Sequence, residues 1–371
     1  MAKSPATASF ASLYSFKGPP DGAFPLAPLL HAGDSLYGTT SQGGTVTANG
    51  DGTIFKLSLS GSETVLQSFA GSPDGQFPQA GLILLKGLLY GTTPNGGSAA
   101  TGTVFTSTKA GVEKVLYSFT SGMDGAGPAA NLIDVKGTLY GTTSAGGGAS
   151  CNSDIGCGTV FKIDPSGNES VLYRFQGGSD GAAPFAGLIY HRGALYGTTF
   201  FGGGSGCNFR GCGTIFKVDV SGAESAVYSF KGGRDGANPS TGLIALQGVL
   251  YGTTSSGGGN SDDGTVFKIA RDGKERVIHR FKGRSDGADP EGGLLAVKGT
   301  LYGTTFAGGS DDFGTAFQMT TGGKETVLHD FTFGADGGNP SASLIDVNGT
   351  LYGTTKMGGT SGFGTVFSIA L

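Results

Sequence analysis

The sequence predicts an all-β protein, a seven-bladed β-propeller with four antiparallel strands per blade. Three observations predict it: one long repeat recurs seven times, each repeat holds four β-rich segments, and the two ends of the chain complement each other. The repeat contains the word Leu-Tyr-Gly-Thr-Thr, whose tyrosines follow one another at intervals of 50 to 56 residues. A period of this length is typical of a supersecondary unit that closes into a ring or stacks. The seven tyrosines are Tyr37, Tyr90, Tyr140, Tyr196, Tyr251, Tyr302 and Tyr352.

The third repeat shows the four predicted strands most clearly. They cover residues 131–135, 138–143, 158–163 and 169–175. Val, Ile, Thr, Tyr and Phe fill these segments, and Gly, Asp, Asn, Ser and Pro fill the spaces between them, which is the pattern of strands and turns. No segment of helical period competes with it, so each repeat is predicted to form one blade.

The chain begins and ends out of phase with its repeats. Residues 9–16 resemble the fourth strand of a blade that nothing precedes, and the last repeat stops at its third strand, residues 364–369. We therefore predict that the N-terminal strand joins the last blade, which removes two open sheet edges. This gives one propeller domain over residues 9–371, and residues 1–8 are expected to be disordered or vector-derived.

Composition and charge exclude several classes of partner. The 24 Lys and Arg against 28 Asp and Glu leave a net charge of −4, without the concentrated basic footprint that a nucleic-acid backbone requires. No run of eighteen apolar residues occurs, so no membrane insertion is expected. The 73 glycines recur at fixed turn positions rather than in tracts. We expect a monomeric globular ring.

The four cysteines predict the compartment. They form two local pairs, Cys151 with Cys157 and Cys207 with Cys212, in the same loop of consecutive repeats. Disulfides are the favoured interpretation; a zinc site made by the four thiolates, or free thiols, are the alternatives. Disulfides indicate an extracytoplasmic location, secreted, periplasmic or at the cell surface. The first ten residues lack the hydrophobic region of a signal peptide, so the native signal is expected to be absent from this chain.

Differences in repeat length predict the functional face. Sixteen residues separate the Asp of Asp-Gly from the repeat tyrosine in every repeat, whereas 12 to 18 residues separate that tyrosine from the following Gly-Thr. Insertions are thus confined to the loop between the second and third strands. In an up-and-down blade this loop shares a face with the Asp-Gly-x-x-Pro link between blades, and we predict that this long-loop face is the binding side.

Aromatic and charged residues on that face are the candidate ligand contacts. Aromatic planes beside carboxylates and guanidinium groups suit a sugar-binding groove; the alternative is that the phenylalanines pack the bases of the long loops. The candidates are Phe185, Phe200, Phe201, Phe209, Arg210, Arg234, Arg284 and Phe306.

Evidence for catalysis is weak in this sequence. No nucleophile elbow, zinc-protease motif or reactive-cysteine context occurs. Asp289 and Glu291 are the candidate catalytic carboxylates, as a pair that could serve a glycosidase. The seven aspartates of Asp-Gly are expected to cap turns. His279 and His329 replace a tyrosine of the outermost strand and are expected to be solvated.

No cofactor is expected, with calcium as an open alternative. Acidic loops at residues 49–51, Asp262-Asp263 and Asp311-Asp312 offer oxygen ligands, but no EF-hand or nonapeptide calcium repeat is present.

The words Leu-Tyr-Gly-Thr-Thr-x-x-Gly-Gly and Gly-Thr-Val-Phe-Lys-Ile resemble the GloVer-type tandem repeat of bacterial exported proteins. The resemblance covers nearly all of residues 9–371. It implies a secreted or surface-attached propeller and carries no catalytic residues to transfer.

Three functional hypotheses follow. The first is a secreted, non-catalytic module that binds a polysaccharide or glycan through the long-loop face. The second is a polysaccharide lyase or hydrolase sited where the axial channel opens on that face. The third is a structural or protein-docking role.

Overall fold

A computed structural model describes residues 8–46, 50–149, 151, 156–270 and 273–371, and it has the predicted all-β architecture. Seven four-stranded antiparallel sheets form the blades, and two two-stranded sheets lie in the links. The one helix in these described segments is a 3-10 turn at Gly233–Asp235. No helix there is long and apolar enough to cross a membrane.

Six blades order their strands from the innermost to the outermost in chain order, and the seventh takes its outermost strand from the N-terminal end of the chain. The innermost strands are Leu30–Ala32, Ile83–Leu85, Ile133–Val135, Ile189–His191, Ile244–Leu246, Leu295–Val297 and Ile345–Val347. The second strands are Ser35–Thr40, Leu88–Thr93, Thr138–Thr143, Ala194–Thr199, Val249–Thr254, Thr300–Thr305 and Thr350–Thr355. The third strands are Thr53–Ser58, Thr103–Ser107, Thr159–Ile163, Thr214–Asp219, Thr265–Ile269, Thr315–Thr320 and Thr365–Ala370. The outermost strands are Glu63–Ser68, Glu113–Ser118, Glu169–Arg174, Glu224–Ser229, Glu275–Arg280, Glu325–Asp330 and, in the seventh blade, Ser9–Ser15. The link sheets pair Gly22–Ala23 with Gln42–Gly43 and Gly75–Gln76 with Asn95–Gly96.

The N-terminal strand closes the ring as predicted. Ser9–Ser15 pairs antiparallel with Thr365–Ala370, so the seventh blade combines strands from both ends of the chain. Beyond the strand, the Phe16 N–H donates to the carbonyl of Gly364 at 3.0 Å. The edges that each terminal segment would expose alone are therefore paired.

The hydrophobic core lies between the blades. Each outermost strand is followed by a phenylalanine that packs edge-to-face on the Gly-Thr-x-Phe phenylalanine of the next blade. Phe16 and Phe55, for example, have ring centroids 5.1 Å apart and are both fully buried. The same contact recurs at Phe69–Phe105, Phe119–Phe161, Phe175–Phe216, Phe230–Phe267, Phe281–Phe317 and Phe331–Phe367. These pairs bury aromatic surface at every interface and favour the edge-to-face geometry that aromatic quadrupoles prefer.

The glycine of Leu-Tyr-Gly-Thr-Thr makes room for these rings. A Cβ at Gly38 would lie 2.5 Å from the Phe55 ring, closer than carbon atoms can approach. Gly91 has the same relation to Phe105. The repeat word thus requires glycine here because the aromatic ring of the neighbouring strand occupies the side-chain position.

The two threonines of the same word hold the blades together. The first threonine donates its hydroxyl to a carbonyl of the following blade, as Thr39 does to Ala80 at 3.0 Å. The second bonds the threonine of Gly-Thr within its own blade, as Thr40 does with Thr53 at 2.7 Å. These hydroxyls are buried, so their hydrogen bonds avoid the cost of an unpaired polar group.

The Asp-Gly aspartates cap the links, as expected. Asp21 accepts the backbone N–H of Lys17 at 2.9 Å and that of Gly22 at 2.7 Å. Its carboxylate also accepts the hydroxyl of Tyr14 on the outermost strand, at 2.8 Å.

The expectation that His279 and His329 are solvated was wrong. Their side chains, with those of their partners Asp286 and Asp336, are only 8 to 20% exposed. They replace the tyrosine that bonds the Asp-Gly aspartate, and this contact holds them inside the rim rather than on its surface.

Candidate ligand-binding face

The long loops and the inter-blade links lie on one face, as predicted. The start of each loop pairs with the preceding link: Ala182 bridges to Phe201 and Ala126 to Ala145, in addition to the two link sheets. This pairing fixes where the loop residues stand relative to the central channel.

Both predicted disulfides form in this face. The Cα atoms of Cys151 and Cys157 are 5.1 Å apart, and those of Cys207 and Cys212 are 5.2 Å apart. No cysteine is free, so the alternatives of a thiolate zinc site and of free thiols are wrong. Each bridge closes a short loop and stabilises that loop rather than the whole ring.

The axis holds a narrow apolar channel. A cavity of about 250 Å³ lies between innermost strands and is lined chiefly by isoleucine and leucine, among them Ile133, Ile189 and Ile244. This is below the 300 to 1,000 Å³ of a typical small-molecule pocket. A ligand larger than a few atoms therefore meets the protein at the channel entrance rather than inside it.

The entrance on the long-loop face is a shallow depression of about 100 Å³, which we call the channel mouth. Among the described residues that line the channel mouth, Glu291 is the one with an ionisable side chain. The channel mouth is formed by Leu26, Pro28, Ala129, Ala130, Asn131, Phe185, Ala186, Gly187, Ser240, Thr241, Gly242, Glu291, Gly293, Ser341, Ala342 and Ser343.

Two serine hydroxyls at the channel mouth have no hydrogen-bond partner in the protein. Ser240 and Ser341 present buried Oγ atoms without one. They occupy the position after the link proline in the fifth and seventh blades, and Glu291 occupies it in the sixth. Buried polar atoms are nearly always satisfied, so these two hydroxyls, in the blades on both sides of the one that carries Glu291, have bonding capacity that the protein leaves unused.

An aromatic row leads away from the channel mouth across the fourth blade. The Phe185 and Phe200 rings meet edge-to-face with centroids 5.8 Å apart, and Phe200 meets Phe201 at 4.8 Å. The guanidinium of Arg210 lies 5.5 Å from the centre of the Phe201 ring, a cation–π contact. We call these four residues the aromatic row. Phe185 is 43% exposed, so its ring is open to a ligand.

A second group is formed by loop residues of the sixth and seventh blades. The Lys356 ammonium lies 5.5 Å from the centre of the Phe306 ring. Burial raises the pKa of the Glu291 carboxyl above its ordinary range, the neighbouring Asp289 carboxylate adds to that increase, and Lys356 opposes it. The rim therefore presents a carboxyl group that gains a proton more readily than usual, beside an aromatic ring and an ammonium group.

The second candidate acid, Asp289, lies outside the channel-mouth lining. Burial raises its pKa, with the carboxylates of Asp262 and Asp263 adding to the effect. Its backbone joins the link to two loops: its N–H donates to the Asp263 carbonyl and its carbonyl accepts from Phe306. The structure thus places Asp289 in the loop junction and Glu291 at the ligand-accessible surface.

Three predicted contact residues stand apart from these groups. Phe209, 92% exposed, is at the tip of the Cys207–Cys212 loop and follows Cys207 and Asn208 in a run of left-handed backbone. Arg234 lies in the 3-10 turn, where its carbonyl accepts from Arg280. Arg284 is exposed in the next link. None of the three lines the channel mouth.

The acidic loops considered for calcium use their carboxylates locally. Asp51 accepts from the Gln76 amide at 2.7 Å, Asp262 from the Gly257 N–H at 2.6 Å, and Asp312 from the Gly308 N–H at 2.9 Å. Asp262 and Asp312 are therefore loop caps, and Asp51 connects its loop to the following link. Asn49 of the first loop lies outside the described residues.

Lys356, Ser240 and Ser341 were missed by sequence reasoning. A signal existed: the position after the link proline and the position after Thr-Thr vary between repeats, whereas their neighbours are nearly constant. The first position reads Leu26, Gln79, Ala129, Phe185, Ser240, Glu291 and Ser341, and the second reads Ser41, Pro94, Ser144, Phe200, Ser255, Phe306 and Lys356.

Two enzymes of known structure are similar to this chain. A xyloglucanase from Xanthomonas campestris is similar with a TM-score of 0.57 and 13% identity, over 94% of this chain and 52% of its own, so this chain spans about half its length. A gluconolactonase from the same organism is similar with a TM-score of 0.47 and 12% identity, over 98% and 90%. At these identities the likeness is one of fold alone.

In sequence, no curated protein matches the chain. The repeats themselves do match a family: residues 1–155, 149–296 and 259–371 fit the Gloeobacter/Verrucomicrobia repeat. This confirms the GloVer-type resemblance seen in the repeat words. Since the three matches together span the chain, the protein belongs to the Gloeobacter/Verrucomicrobia repeat family.

Proposed function

We propose that this protein is a secreted propeller that binds polysaccharide or glycan chains, without cleaving them, at the channel mouth and along the aromatic row. The observation that carries the proposal is the pair of unpartnered hydroxyls of Ser240 and Ser341 on either side of Glu291, next to the exposed ring of Phe185. A sugar ring offers hydroxyls at its edge for the carboxylate and, once the serine side chains rotate toward the channel mouth, for the serines, and it offers a C–H face for the phenylalanine.

The shape of the surface favours an extended ligand. The channel mouth is too small to enclose a ligand, but the aromatic row continues from Phe185 to Arg210 on the same face. One sugar unit would bind at the channel mouth, and the neighbouring units of the same chain would lie over the aromatic row. Phe209 and the exposed Arg234 and Arg284 are proposed as outer contacts for longer chains.

Binding is favoured over hydrolysis by the number of carboxylates. Most glycosidases use two carboxyl groups flanking the scissile bond. Among the described residues, Glu291 is the one carboxylate that lines the channel mouth, and Asp289 lies in the loop junction. The raised pKa of Glu291 suits a general acid, which keeps a polysaccharide-degrading enzyme as the second candidate. The xyloglucanase adds only that a similar fold occurs in a polysaccharide-active enzyme.

The disulfides support an extracytoplasmic location, because such bonds persist in oxidising compartments. A monomer is proposed, to be checked by light scattering of the purified protein.

The experiment is a panel of soluble polysaccharides, read for both retention of the protein and release of reducing ends or unsaturated products. We expect retention without products, weakened about tenfold or more by Phe185→Ala, Phe201→Ala or Arg210→Ala. Val112→Ala is the control, because Val112 is exposed at a turn on the opposite face. Products lost in Glu291→Gln would establish the enzyme, and a blank panel would reject both candidates.

A further inference from the structure

An acidic cluster recurs where neighbouring blades meet at the outer rim, and we call each instance an outer junction. It consists of the Asp-Gly aspartate, the residue seven positions before it, and a glutamate that begins the outermost strand of the next blade. In the first outer junction these are Asp21, Tyr14 and Glu63, whose proximity is seen in the effect of the Asp21 charge on the pKa of Glu63. The glutamates of the six such junctions are Glu63, Glu113, Glu169, Glu224, Glu275 and Glu325.

Each of these glutamates has a carboxylate oxygen that makes no hydrogen bond. In every one of the six, Oε1 is buried without a hydrogen-bond partner. Burial raises the pKa of Glu325 to about 7, and the nearby Asp286 and Asp330 carboxylates contribute, while His279 and Lys282 oppose the increase. Each outer junction therefore places a carboxylate oxygen without a partner close to a second carboxyl group, an arrangement that a cation would stabilise.

One outer junction differs in chemistry from the others. Four of the six place a tyrosine beside the aspartate and one places Gln67, whereas the junction of the fifth and sixth blades places His279 there. The His279 Nε2 lies 3.1 Å from Asp286 Oδ2. With a carboxylate oxygen of Glu325, these ligand atoms all lie within 4.8 Å of one another. It is the one such three-ligand group of His, Cys, Asp and Glu within the described ranges.

The aspartate of this junction is already oriented. Asp286 is nine-tenths buried, and its Oδ1 accepts the Lys282 backbone N–H at 2.8 Å. Its other oxygen is therefore directed toward His279. Hydrogen bonds of this kind orient the ligands of metal sites and limit the movement that binding requires.

We propose that His279, Asp286 and Glu325 bind one Zn²⁺ or a similar borderline divalent ion, which joins the fifth blade to the sixth. One imidazole nitrogen and two carboxylates are a common ligand set for such ions, and a water molecule completes a tetrahedron. A neutral tyrosine in the same position offers no comparable ligand, so the histidine sets this junction apart.

The chain provides matched controls. Tyr228, Asp235 and Glu275 form the equivalent junction without the histidine. At the closing junction, His329 bonds Asp336 but the glutamate position is taken by Phe10, whose ring stacks on His329 with centroids 3.7 Å apart. His279→Tyr therefore copies a junction that this fold already accommodates, and His329→Tyr removes a histidine that lacks the third ligand.

The test is calorimetric titration of EDTA-treated full-length protein with Zn²⁺ at pH 7.5, together with the visible spectrum of the Co²⁺ form. We expect one ion per chain, a melting temperature that rises with zinc concentration, and binding at least tenfold weaker in His279→Tyr and in Glu325→Gln. His329→Tyr is expected to bind as the unaltered protein does.

Two results would overturn the proposal. One is the absence of stoichiometric Zn²⁺ or Co²⁺ binding by the unaltered protein. The other is binding that persists in both His279→Tyr and Glu325→Gln, or that is lost in His329→Tyr, since the ion would then be held elsewhere. Having two variants at different ligands keeps the test decisive if one of them does not fold.

Discussion

The hydroxyl of Thr354 donates to the carbonyl of Ala27 at 3.3 Å, across 327 positions of sequence. It is the last of seven bonds from the first threonine of Leu-Tyr-Gly-Thr-Thr to the following blade, six of which end on the second residue after the link proline. The other six donors are Thr39, Thr92, Thr142, Thr198, Thr253 and Thr304. The closing interface therefore uses the same bond as five of the six interfaces between blades adjacent in sequence, and at the remaining one Thr253 donates to the link proline Pro290 instead.

Thr354→Val tests whether the closing interface contributes as much to the stability of the ring as an internal interface does. Valine keeps the shape but leaves the buried Ala27 carbonyl without this donor, so the free energy of unfolding should fall by about 1 to 2 kcal/mol. Thr142→Val, at an internal interface, is the matched control, and the two side chains are equally buried. Urea denaturation of both proteins measures the difference. If Thr354→Val lost much less unfolding free energy than Thr142→Val, the ring would open readily at its closing interface.

The outer junctions predict how stability depends on pH. Because their pKa values are raised in the fold above the ordinary value of about 4.3, these carboxyls stabilise the fold most where they are protonated. Their contribution to stability should thus be greatest below about pH 4.3 and should decrease as the pH rises from there to about 7 to 8. Burial is the main cause of the increase for all of them, to about 8 for Glu113 and to about 7 for Glu63, Glu169, Glu275 and Glu325.

The measurement is the melting temperature between pH 5 and 8.5 in EDTA. In Glu113→Gln the melting temperature should fall less on the alkaline side, because glutamine is neutral at every pH and cannot ionise beside Asp74. A melting temperature that rises with pH over this range would show that the glutamates are charged in the folded protein, against the argument from burial.

The Cys207–Cys212 disulfide should matter more for binding than for stability. Replacing both cysteines by serine should cost about 2 kcal/mol or less of unfolding free energy, by the entropy of so short a loop. Polysaccharide retention should weaken more, because the bridge encloses Arg210, whose carbonyl accepts from Gly202 at 2.8 Å. The Cys151→Ser, Cys157→Ser pair opens a loop of similar length without that arginine. Equal loss of retention in the two double variants would contradict a specific role for the Arg210 loop.

The charges around the channel mouth predict opposite shifts in the pKa of Glu291. Lys356→Ala removes the cation that lowers it, so the pKa should rise further. Asp289→Asn removes a carboxylate that raises it, so the pKa should fall. Side-chain carboxyl NMR titration measures both. Shifts in the same direction would mean that the loops rearrange rather than that the charges act directly.

The sequence predicted the fold well because the repeat makes each structural requirement recur. Gly38 is needed beside Phe55 and Thr39 is needed to bond the next blade, so seven copies turn local patterns into a ring. Closure was predictable because the first segment is a fourth strand without a blade. The position of the long loops followed from which segment varies in length.

The site was predictable only in part. Phe185, Phe200 and Phe201 could be named because aromatic residues in loops are unusual, but their contact with Arg210 depends on loop conformation. Asp289 and Glu291 are neighbours in sequence, yet the link proline between them separates a loop junction from the channel mouth. The burial of His279 was missed because its partner stands in the following link and the neighbouring glutamate comes from another blade.

The most direct test of carbohydrate binding at the channel mouth is affinity electrophoresis of the unaltered protein and the Ser240→Ala, Ser341→Ala double variant through polysaccharide-containing gels. The account predicts that at least one polysaccharide retards the unaltered protein and that the double variant binds it about tenfold more weakly, since each lost hydroxyl bond costs about 0.5 to 1.5 kcal/mol. Both proteins should melt at similar temperatures. Equal retardation of the two proteins, or retardation of neither by any polysaccharide, would contradict it.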